Sequence, residues 1–375
     1  MPRIALNLLY LDPGKTGGME IVARELLPAL SAAVPADVEL VALVNERAAA
    51  DRTGPWHAMT THTVPVDVSS RARWAQAELR TVPKLAASLR ADLLHSLGNM
   101  GPWHGQVPRS VTVNDLIHHR VPHPGLALRS RLTGGLVAGG AKRARRVIVP
   151  ATQTADDLVE LIGVPRERID LVPYGISRPT VAPTPEDELR ARLRLGDRPL
   201  VLSPSARQPH KNLDRLIQAH ALLPSPRPLL VLPGYATTHD DALGQSTRAL
   251  GIADDVRWLG WVEQADLEAL YLASELLVFP SLYEGFGLPV LEAMQRGLPV
   301  ACSDRGSLAE VAGGAALIFD AEDPARIADA VQQVLADRAL RERLVADGRE
   351  NVRRYTWAAC AEGYVRSFDR SLGRG

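Results

Sequence analysis

The sequence predicts an α/β protein with two doubly wound parallel sheets joined by a linker. Short apolar runs alternate with helical patterns along the chain, which is typical of βαβ units and parallel sheets. A length of 375 residues exceeds that of a usual single domain, so we expect two. A stretch rich in proline and polar residues begins at Ser177 and predicts the linker, which we place at residues 179–188.

In the first half, apolar runs bounded by turn residues predict strands, and amphipathic segments between them predict helices. The strands are expected at residues 3–11, 38–44, 92–97, 110–116, 146–150 and 169–176, and the helices include 19–32, 71–90 and 154–162.

The second half repeats this alternation. Strands are expected at residues 199–204, 229–233, 256–259, 276–280, 300–303 and 316–319, and two helices, 338–354 and 356–371, end the chain. Asp323 and Pro324 predict a helix start, because aspartate is a favoured N-cap and proline fits the first helical position. Ser307 and Glu310 have the spacing of a capping box.

Composition excludes several classes of protein. The formal net charge is zero, so the whole chain offers no electrostatic argument for binding nucleic acid. Two cysteines are too few for a disulfide framework and suit a reducing cytoplasm. No apolar run approaches the roughly 20 residues of a membrane span, and the N-terminal run is expected to be a strand and not a signal peptide.

Charge is concentrated in one segment. Residues 71–146 contain 13 basic and three acidic residues, a local excess of +10. One interpretation is an arginine-rich face in water. The other is a surface for an anionic acceptor or for lipid headgroups, since basic residues near an anionic membrane are stabilising.

The turn after the strand at 276–280 is the most informative segment. It leads into a helix that Pro289 can begin, so the N–H groups of Gly285, Phe286, Gly287 and Leu288 are predicted to face a ligand, where the helix dipole favours an anion.

Two carboxylates, Glu284 and Glu292, flank this turn. Carboxylates accept hydrogen bonds from hydroxyl groups, so a phosphate ester that carries many hydroxyls explains both the acids and the anion site. The pattern therefore predicts a cradle for a nucleotide sugar.

Two cations are expected in the same sheet. Arg207 and Lys211 follow the first strand of the second half, at the carboxyl end where ligands of such sheets bind. They could neutralise a diphosphate, and the alternative is a solvated loop before a helix.

A glycine pair, Gly17 and Gly18, opens a helix after the first strand. The surrounding residues match neither a P-loop nor the G-x-G-x-x-G pattern. The pair predicts either close backbone contact with an acceptor or phosphate, or a plain tight turn.

Polar residues also end the strand near 110–116 in the first half, namely Asn114, Asp115 and His118, and His95 ends the strand before it. Groups in such positions are either catalytic or structural. No Asp-x-Asp pair or cysteine–histidine pattern is present, so we expect no metal site and no bound cofactor.

The segment EGFGLPVLEAM at 284–294, followed by GLPV at 297–300 and SLAEV at 307–311, closely resembles glycosyltransferase family 4. The resemblance extends to the Gly17-Gly18 loop, TVNDL at 112–116, PYGI at 173–176, and Arg207 with Lys211. It implies a retaining enzyme of the GT-B fold. In that fold two Rossmann-like domains, here residues 1–178 and 189–355, face across a cleft, and a last helix, 356–375, crosses back to the first domain.

The resemblance also implies roles for single residues. Glu284 would bind sugar hydroxyls and Glu292 the ribose, while the amides at 285–288 hold the sugar and phosphates. Arg207 and Lys211 would stabilise charge on the leaving diphosphate in place of a divalent metal. The family usually has histidine where this chain has Asn114, so Asp115, His118 or substrate groups are expected to compensate; Tyr174 replaces a commoner asparagine.

We therefore expect a metal-independent transferase that moves a hexose of mannose, rhamnose or glucose type from a nucleoside-diphosphate sugar to an acceptor hydroxyl. The acceptor would be a sugar, lipid-linked or small molecule in polysaccharide, glycolipid or natural-product glycoside synthesis. We expect a cytoplasmic location, with peripheral contact to an anionic membrane through residues 71–146 as a further possibility. The alternatives are a nucleotide-sugar epimerase on the same fold and a non-catalytic subunit that only binds sugar nucleotide.

Overall fold

The structure is a computed structural model that describes residues 1–121, 127–235, 237 and 240–374; for residues 127–131 it describes the backbone alone. The chain forms two compact units, Met1–Ser177 with Tyr355–Gly375, and Arg178–Arg354. No helix within the described ranges is long and apolar enough to cross a membrane.

The first unit is built on a parallel sheet. Its described strands are β1 (Arg3–Asn7), β2 (Glu39–Asn45), β3 (Thr60–Val64), β4 (Leu93–Ser96), β5 (Arg109–Thr112), β6 (Arg146–Val149) and β7 (Ile169–Leu171), in the order β3-β2-β1-β4-β5-β6-β7. Strand β3 was not predicted. Its sequence, TTHTV, is mostly polar and lies at the sheet edge, where only β2 pairs with it.

Helices of the first unit connect these strands. They are α1 (Gly18–Ala33), α2 (Glu46–Ala50), α3 (Arg71–Gln76), α4 (Val82–Ser88), α5 (Ile117–Arg120), α6 (Ala127–Arg143) and α7 (Thr152–Asp157), with 3₁₀ turns at Pro55–Ala58 and Arg166–Arg168. The helix predicted at 71–90 is confirmed as a continuous helical stretch over 71–88, in which a π-helical segment, Ala77–Thr81, lies between α3 and α4. A second π-helical segment, Leu158–Ile162, follows α7.

The second unit has a parallel sheet with buried central strands. Its described strands are β8 (Leu200–Leu202), β9 (Leu229–Pro233), β10 (Val256–Leu259), β11 (Leu276–Phe279), β12 (Val300–Ser303) and β13 (Leu317–Phe319), in the order β10-β9-β8-β11-β12-β13. Every residue of β8, β9, β11 and β12 is buried, as expected for a sheet covered by helices on both faces. The predicted fold class, α/β with two doubly wound sheets, is confirmed.

The described helices of the second unit lie before, between and after its strands. They are α8 (Glu186–Leu193), α9 (Leu213–Leu222), α10 (Asp240–Ala249), α11 (Gln264–Ala273), α12 (Leu288–Gln295), α13 (Leu308–Ala312), α14 (Pro324–Ala336) and α15 (Arg338–Asn351), with 3₁₀ turns at Pro209–Lys211, Ala253–Asp255 and Val352–Arg354. Helix α8 begins inside the linker predicted at 179–188.

The two predicted helix caps have different outcomes. The Asp323 carboxylate accepts from the N–H of Ala325 at 2.8 Å, which confirms it as the N-cap of α14. The capping box at Ser307 is wrong, because that side chain accepts no N–H of α13. Its hydroxyl donates instead to the carbonyls of Glu284 and Phe286, both at 3.0 Å.

The last helix, α16 (Trp357–Leu372), belongs to the first unit. The Thr356 hydroxyl caps it. Asp170 on β7 accepts from Ser367 at 2.7 Å and also pairs with Arg146 and Arg370. Burial acts against ionisation of Asp170, but these partners hold the pKa of its carboxyl below the ordinary value.

Candidate functional site

The turn between β11 and α12 is shaped by two glycines with positive φ. Gly287 (φ 97°) precedes α12, and Gly306 (φ 64°) packs against the turn from the end of β12. A Cβ at 306 would lie 2.8 Å from the backbone nitrogen of Glu284 and 2.9 Å from its carbonyl oxygen. The close approach that glycine permits therefore fixes the backbone of Glu284.

Ser307 completes this clamp by donating to the carbonyls of Glu284 and Phe286. The carbonyls are thereby turned toward Ser307. Among the described residues, the N–H groups of Gly285, Gly287 and Leu288 have no acceptor. These donors stand at the start of an eight-residue helix, where an anion is favoured.

Lys211 and Glu284 form an ion pair beside these amides. Lys211 Nζ donates to Glu284 Oε1 at 2.6 Å, and the two side chains are 17% and 14% exposed. The segment that carries Lys211 is anchored by Asn212, whose amide donates to the carbonyls of Pro280 and Ala321 at 3.0 and 2.7 Å. Lys211 is therefore brought to the Glu284 turn; the sequence placed the two residues in the same sheet but did not predict their ion pair.

Arg207 is buried and is held by protein groups. Its guanidinium pairs with Asp240, donates to the carbonyl of Leu259 at 2.6 Å, and lies 5.0 Å from the centre of the Trp258 ring. Burial favours the neutral acid, yet hydrogen bonds from Thr237 and Arg207 keep the pKa of Asp240 below its ordinary value. The sequence did not predict this acid partner.

Several buried polar atoms without partners belong to the segments that follow β8 and β11. They are Arg207 Nε and the hydroxyl oxygens of Ser203, Ser205 and Ser281, none of which has a hydrogen-bond partner in the described part of the chain. An unsatisfied buried polar group costs about 1–3 kcal/mol, so a ligand or bound water is expected here. The serines were not predicted as site residues, although each follows an apolar strand.

Glu292 lies one turn into α12 and is half-buried. Tyr271 on α11 donates to Glu292 Oε2 at 2.7 Å. Burial raises the pKa of Glu292, and the Tyr271 hydrogen bond and the Arg296 charge oppose that rise. Glu284 and Glu292 thus occupy the positions around the turn that the sequence predicted.

An aromatic pair stands at the ends of β9 and β10. The rings of Tyr235 and Trp261 stack with centres 4.8 Å apart, and Trp261 is 65% exposed. Neither residue was predicted to belong to the site.

In the first unit, Gly17 (φ 67°) and Gly18 begin α1. A Cβ at either position would meet no atom within 4 Å, so open space lies beside this backbone. Positive φ explains glycine at 17, which fits both predicted roles, a ligand contact and a tight turn.

The polar residues after β5 bond mainly to their own unit. Asn114 donates through its backbone and side-chain nitrogens to Asn99 Oδ1 at 2.6 and 2.9 Å, and it accepts from Tyr174. Asp115 accepts from the N–H of Ile117 at 3.1 Å at the start of α5, on which His118 is half-buried.

His95 is structural and not catalytic. Its ring nitrogens bond to the hydroxyls of Ser110 and Thr112 at 2.9 and 3.0 Å, and Tyr364 and Phe368 pack against the ring. Complete burial lowers the pKa of His95 to about 3, so it remains neutral at physiological pH.

Comparisons with known proteins agree with this arrangement. Residues 16–178 match the family model Glycosyltransferase Family 4, and residues 185–351 match Glycosyl transferases group 1. Over 343 residues the chain is 31% identical to a D-inositol 3-phosphate glycosyltransferase of Xylanimonas cellulosilytica, covering 88% of this chain and 76% of that protein. The chain belongs to the group 1 and family 4 glycosyltransferases.

Other relatives are matched over shorter lengths. The glycosyltransferase is 32% identical to the O-antigen chain mannosyltransferase B of Escherichia coli over 60% of each chain. It is also 32% identical to a D-inositol 3-phosphate glycosyltransferase of Nocardia farcinica, over 61% of this chain and 53% of that protein. These matches therefore span less than two thirds of each relative's length.

Solved structures show that the glycosyltransferase has the GT-B fold. Sucrose-phosphate synthase from Thermosynechococcus elongatus superimposes over 100% of both chains with a TM-score of 0.80 at 22% identity. An Anabaena protein, HepE, solved with UDP and glucose, superimposes over 98% of this chain and 99% of its own with a TM-score of 0.74 at 17% identity. At these identities the likeness establishes the fold alone.

Proposed function

We propose that this glycosyltransferase moves a hexose, with retention at the anomeric carbon, from a nucleoside-diphosphate sugar to an acceptor hydroxyl. One observation carries the proposal. The Lys211–Glu284 pair lies beside N–H groups without acceptors at the start of α12, so a cation and oriented amides are available for a phosphate next to a carboxylate for hydroxyls.

Each group has a role in this proposal. When the bond between the anomeric carbon and the diphosphate oxygen breaks, negative charge moves to the diphosphate. Lys211 and the amides of Gly285 and Gly287 stabilise that charge, because they are oriented before the reaction. The unpartnered Nε–H of Arg207 is a further donor for it.

Recognition of the rest of the donor is proposed for neighbouring groups. Glu284 accepts from hydroxyls of the transferred sugar and Glu292 from those of the ribose. The exposed ring of Trp261, backed by Tyr235, offers a flat surface on which a nucleobase stacks. In the first unit, Gly17 and Gly18 would contact the acceptor through open backbone.

The names of the relatives support a general proposal for the class of the acceptor and of the transferred sugar. One relative is named as a mannosyltransferase of the O-antigen chain, and others as D-inositol 3-phosphate glycosyltransferases. We propose a hexose of mannose, rhamnose or glucose type and an acceptor in polysaccharide, glycolipid or glycoside synthesis. Asp115 and His118, after β5, are proposed to act on the acceptor side.

The test begins with thermal shifts in UDP, GDP, ADP and dTDP, followed by the matching nucleotide sugars with sugar and lipid-linked acceptors. We expect one nucleotide to stabilise the protein and transfer to yield a product of the donor's anomeric configuration, read by NMR coupling constants. Isomerised donor without acceptor would favour an epimerase. Donor binding without turnover on any acceptor would favour a non-catalytic subunit.

We also propose that a peripheral membrane contact uses the basic segment 71–146. Nine of its described cations are exposed, whereas the side chains of Arg129 and Arg131 lie outside the described residues. The exposed ones are Arg71, Arg73, Arg80, Lys84, Arg90, Arg120, Lys142, Arg143 and Arg145. Cosedimentation with anionic vesicles should fall as salt rises, and neutral vesicles should not bind. Absence of cosedimentation at low salt refutes this contact.

A further inference from the structure

The Glu292 carboxylate is held by a neighbouring helix on one side only. Tyr271 on α11 donates to Oε2 at 2.7 Å, whereas Oε1 has no donor among the described residues. One carboxylate oxygen of Glu292 is thus bound by the protein, and the other can accept a hydrogen bond from a ligand.

Tyr271 is itself fixed from several directions. It is 1% exposed, and the Arg296 guanidinium lies 4.8 Å from the centre of its ring. Arg296 pairs with buried Glu268 through two nitrogens, one of them at 2.6 Å, and donates to the carbonyl of Glu292 at 2.7 Å. Gln264 donates to the same Glu268 at 2.9 Å. The phenol is therefore held beside the carboxylate by burial, by the Arg296 contact and by its own hydrogen bond.

We infer that Tyr271 is a positioning residue, which holds the Glu292 carboxylate so that Oε1 meets the ribose hydroxyls of the nucleotide. This inference rests on the proposed function, which assigns Glu292 to the ribose. The phenol acts through Glu292 and does not itself touch the ligand.

The hydrogen bond also favours the ionised acid. The groups that act on Glu292 are Tyr271 and Glu268 on α11, and Arg296, which directly follows α12. Burial and the negative charge of Glu268 favour a neutral acid, while the phenol and the Arg296 charge favour the carboxylate. A protonated Glu292 has fewer lone pairs to accept from a diol, so the phenol preserves the form that binds.

The test uses Tyr271→Phe and calorimetry with the tightest of the four nucleoside diphosphates and its counterpart that lacks the ribose hydroxyls. Wild type should prefer the natural nucleotide by at least about ten-fold, because hydrogen bonds to a charged group are lost with the analogue. In the variant the preference for the natural nucleotide should fall to about three-fold or less. The affinity for the analogue should not change.

Two controls separate positioning from general damage. Tyr364→Phe removes a buried hydroxyl in the first unit, which bonds to Thr112 at 2.9 Å, and should leave nucleotide affinity unchanged. In a Glu292→Gln background, Tyr271→Phe should change affinity by less than about two-fold, because the two residues act as one unit.

The outcomes distinguish this inference from the proposed function. If Tyr271→Phe weakens both nucleotides equally, or if its effect persists in the Glu292→Gln background, the positioning role is wrong and donor binding stands. If wild type binds no nucleoside diphosphate, the proposed function itself fails.

Discussion

Replacing Glu284, the partner of Lys211, should strengthen nucleotide binding and weaken sugar transfer. Glu284→Gln removes a negative charge while keeping the shape of the side chain. We expect it to tighten binding of a bare nucleoside diphosphate, because Glu284 is repelled by the phosphates that Lys211 attracts. The same change should impair sugar transfer, because the side chain proposed to accept hydrogen bonds from the sugar hydroxyls has lost its charge.

The size of the first effect follows from the geometry. Lys211 Nζ lies 2.6 Å from Glu284 Oε1. A phosphate oxygen on the other side of the ammonium adds about 2.8 Å, which places it about 5 Å from the carboxylate. Coulomb repulsion between unit charges is then about 3 kcal/mol at an effective dielectric of about 20. Partial exposure of both side chains and salt reduce this to about 1–2 kcal/mol, or about 5- to 30-fold in Kd.

The assay is calorimetry with the nucleotide that wild type binds most tightly, together with the initial rate of transfer. Lys211→Met should weaken nucleotide binding several-fold, whereas Glu284→Gln strengthens it and lowers kcat/KM by about 10- to 100-fold. Glu342→Gln is the matched control, because that carboxylate is 64% exposed on α15. If Glu284→Gln weakens nucleotide binding as much as Lys211→Met does, Glu284 serves to hold Lys211 in place. The expected repulsion between the Glu284 carboxylate and the phosphate is then refuted.

Three further outcomes are expected. Burial raises the pKa of the Glu78 carboxyl from 4.5 to about 7, so the folded protein binds the carboxyl proton more tightly than the unfolded chain does. The stabilisation of the folded protein by this proton is complete below about pH 4.5 and is lost as the pH rises through 7. The free energy of unfolding of Glu78→Gln and of wild type should be measured in urea at pH 5 and pH 8. From pH 5 to pH 8, the free energy of unfolding of the variant should rise by up to about 3 kcal/mol relative to that of wild type, and a difference that does not change with pH would contradict this. Asn114→His removes the amide that donates to Asn99 Oδ1 and accepts from Tyr174, and should cost about 1–3 kcal/mol, read as a lower Tm; an unchanged Tm would contradict this. Transfer should persist in EDTA after dialysis, and recovery of activity only with added Mg²⁺ or Mn²⁺ would refute metal independence.

The strands and the Glu284 turn were accessible from sequence because local signals determine them. Apolar runs mark the buried strands of the second sheet, and glycine with proline marks the start of α12. Strand β3 was missed because its polar residues are tolerated at a sheet edge. Spacing also suggested a capping box at Ser307, yet tertiary contact with the Glu284 turn determined what that hydroxyl does.

Partners from distant parts of the chain were beyond sequence reasoning. Asp240 lies 33 residues after Arg207, and Tyr271 lies 21 residues before Glu292. No periodicity relates such pairs, because parallel strands and their crossover helices set the distance between them. For His95 the sequence left a catalytic and a structural role open, and its two hydroxyl partners make it part of the core.

The carboxyl ends of the two sheets differ in whether their polar groups already have hydrogen-bond partners, and this affects how much binding energy a ligand can gain at each. After β5 in the first unit, Asn114 is bonded to Asn99 and Tyr174, so a ligand gains little there unless it replaces an existing bond. After β8 and β11 in the second unit, Arg207 Nε and three serine hydroxyls are already removed from water without a partner. A polar ligand at that edge forms hydrogen bonds whose desolvation cost was met when the chain folded. Tight and specific donor binding is therefore expected to depend on the second unit, and changes in its serines should affect nucleotide affinity more than changes around Asn114 do.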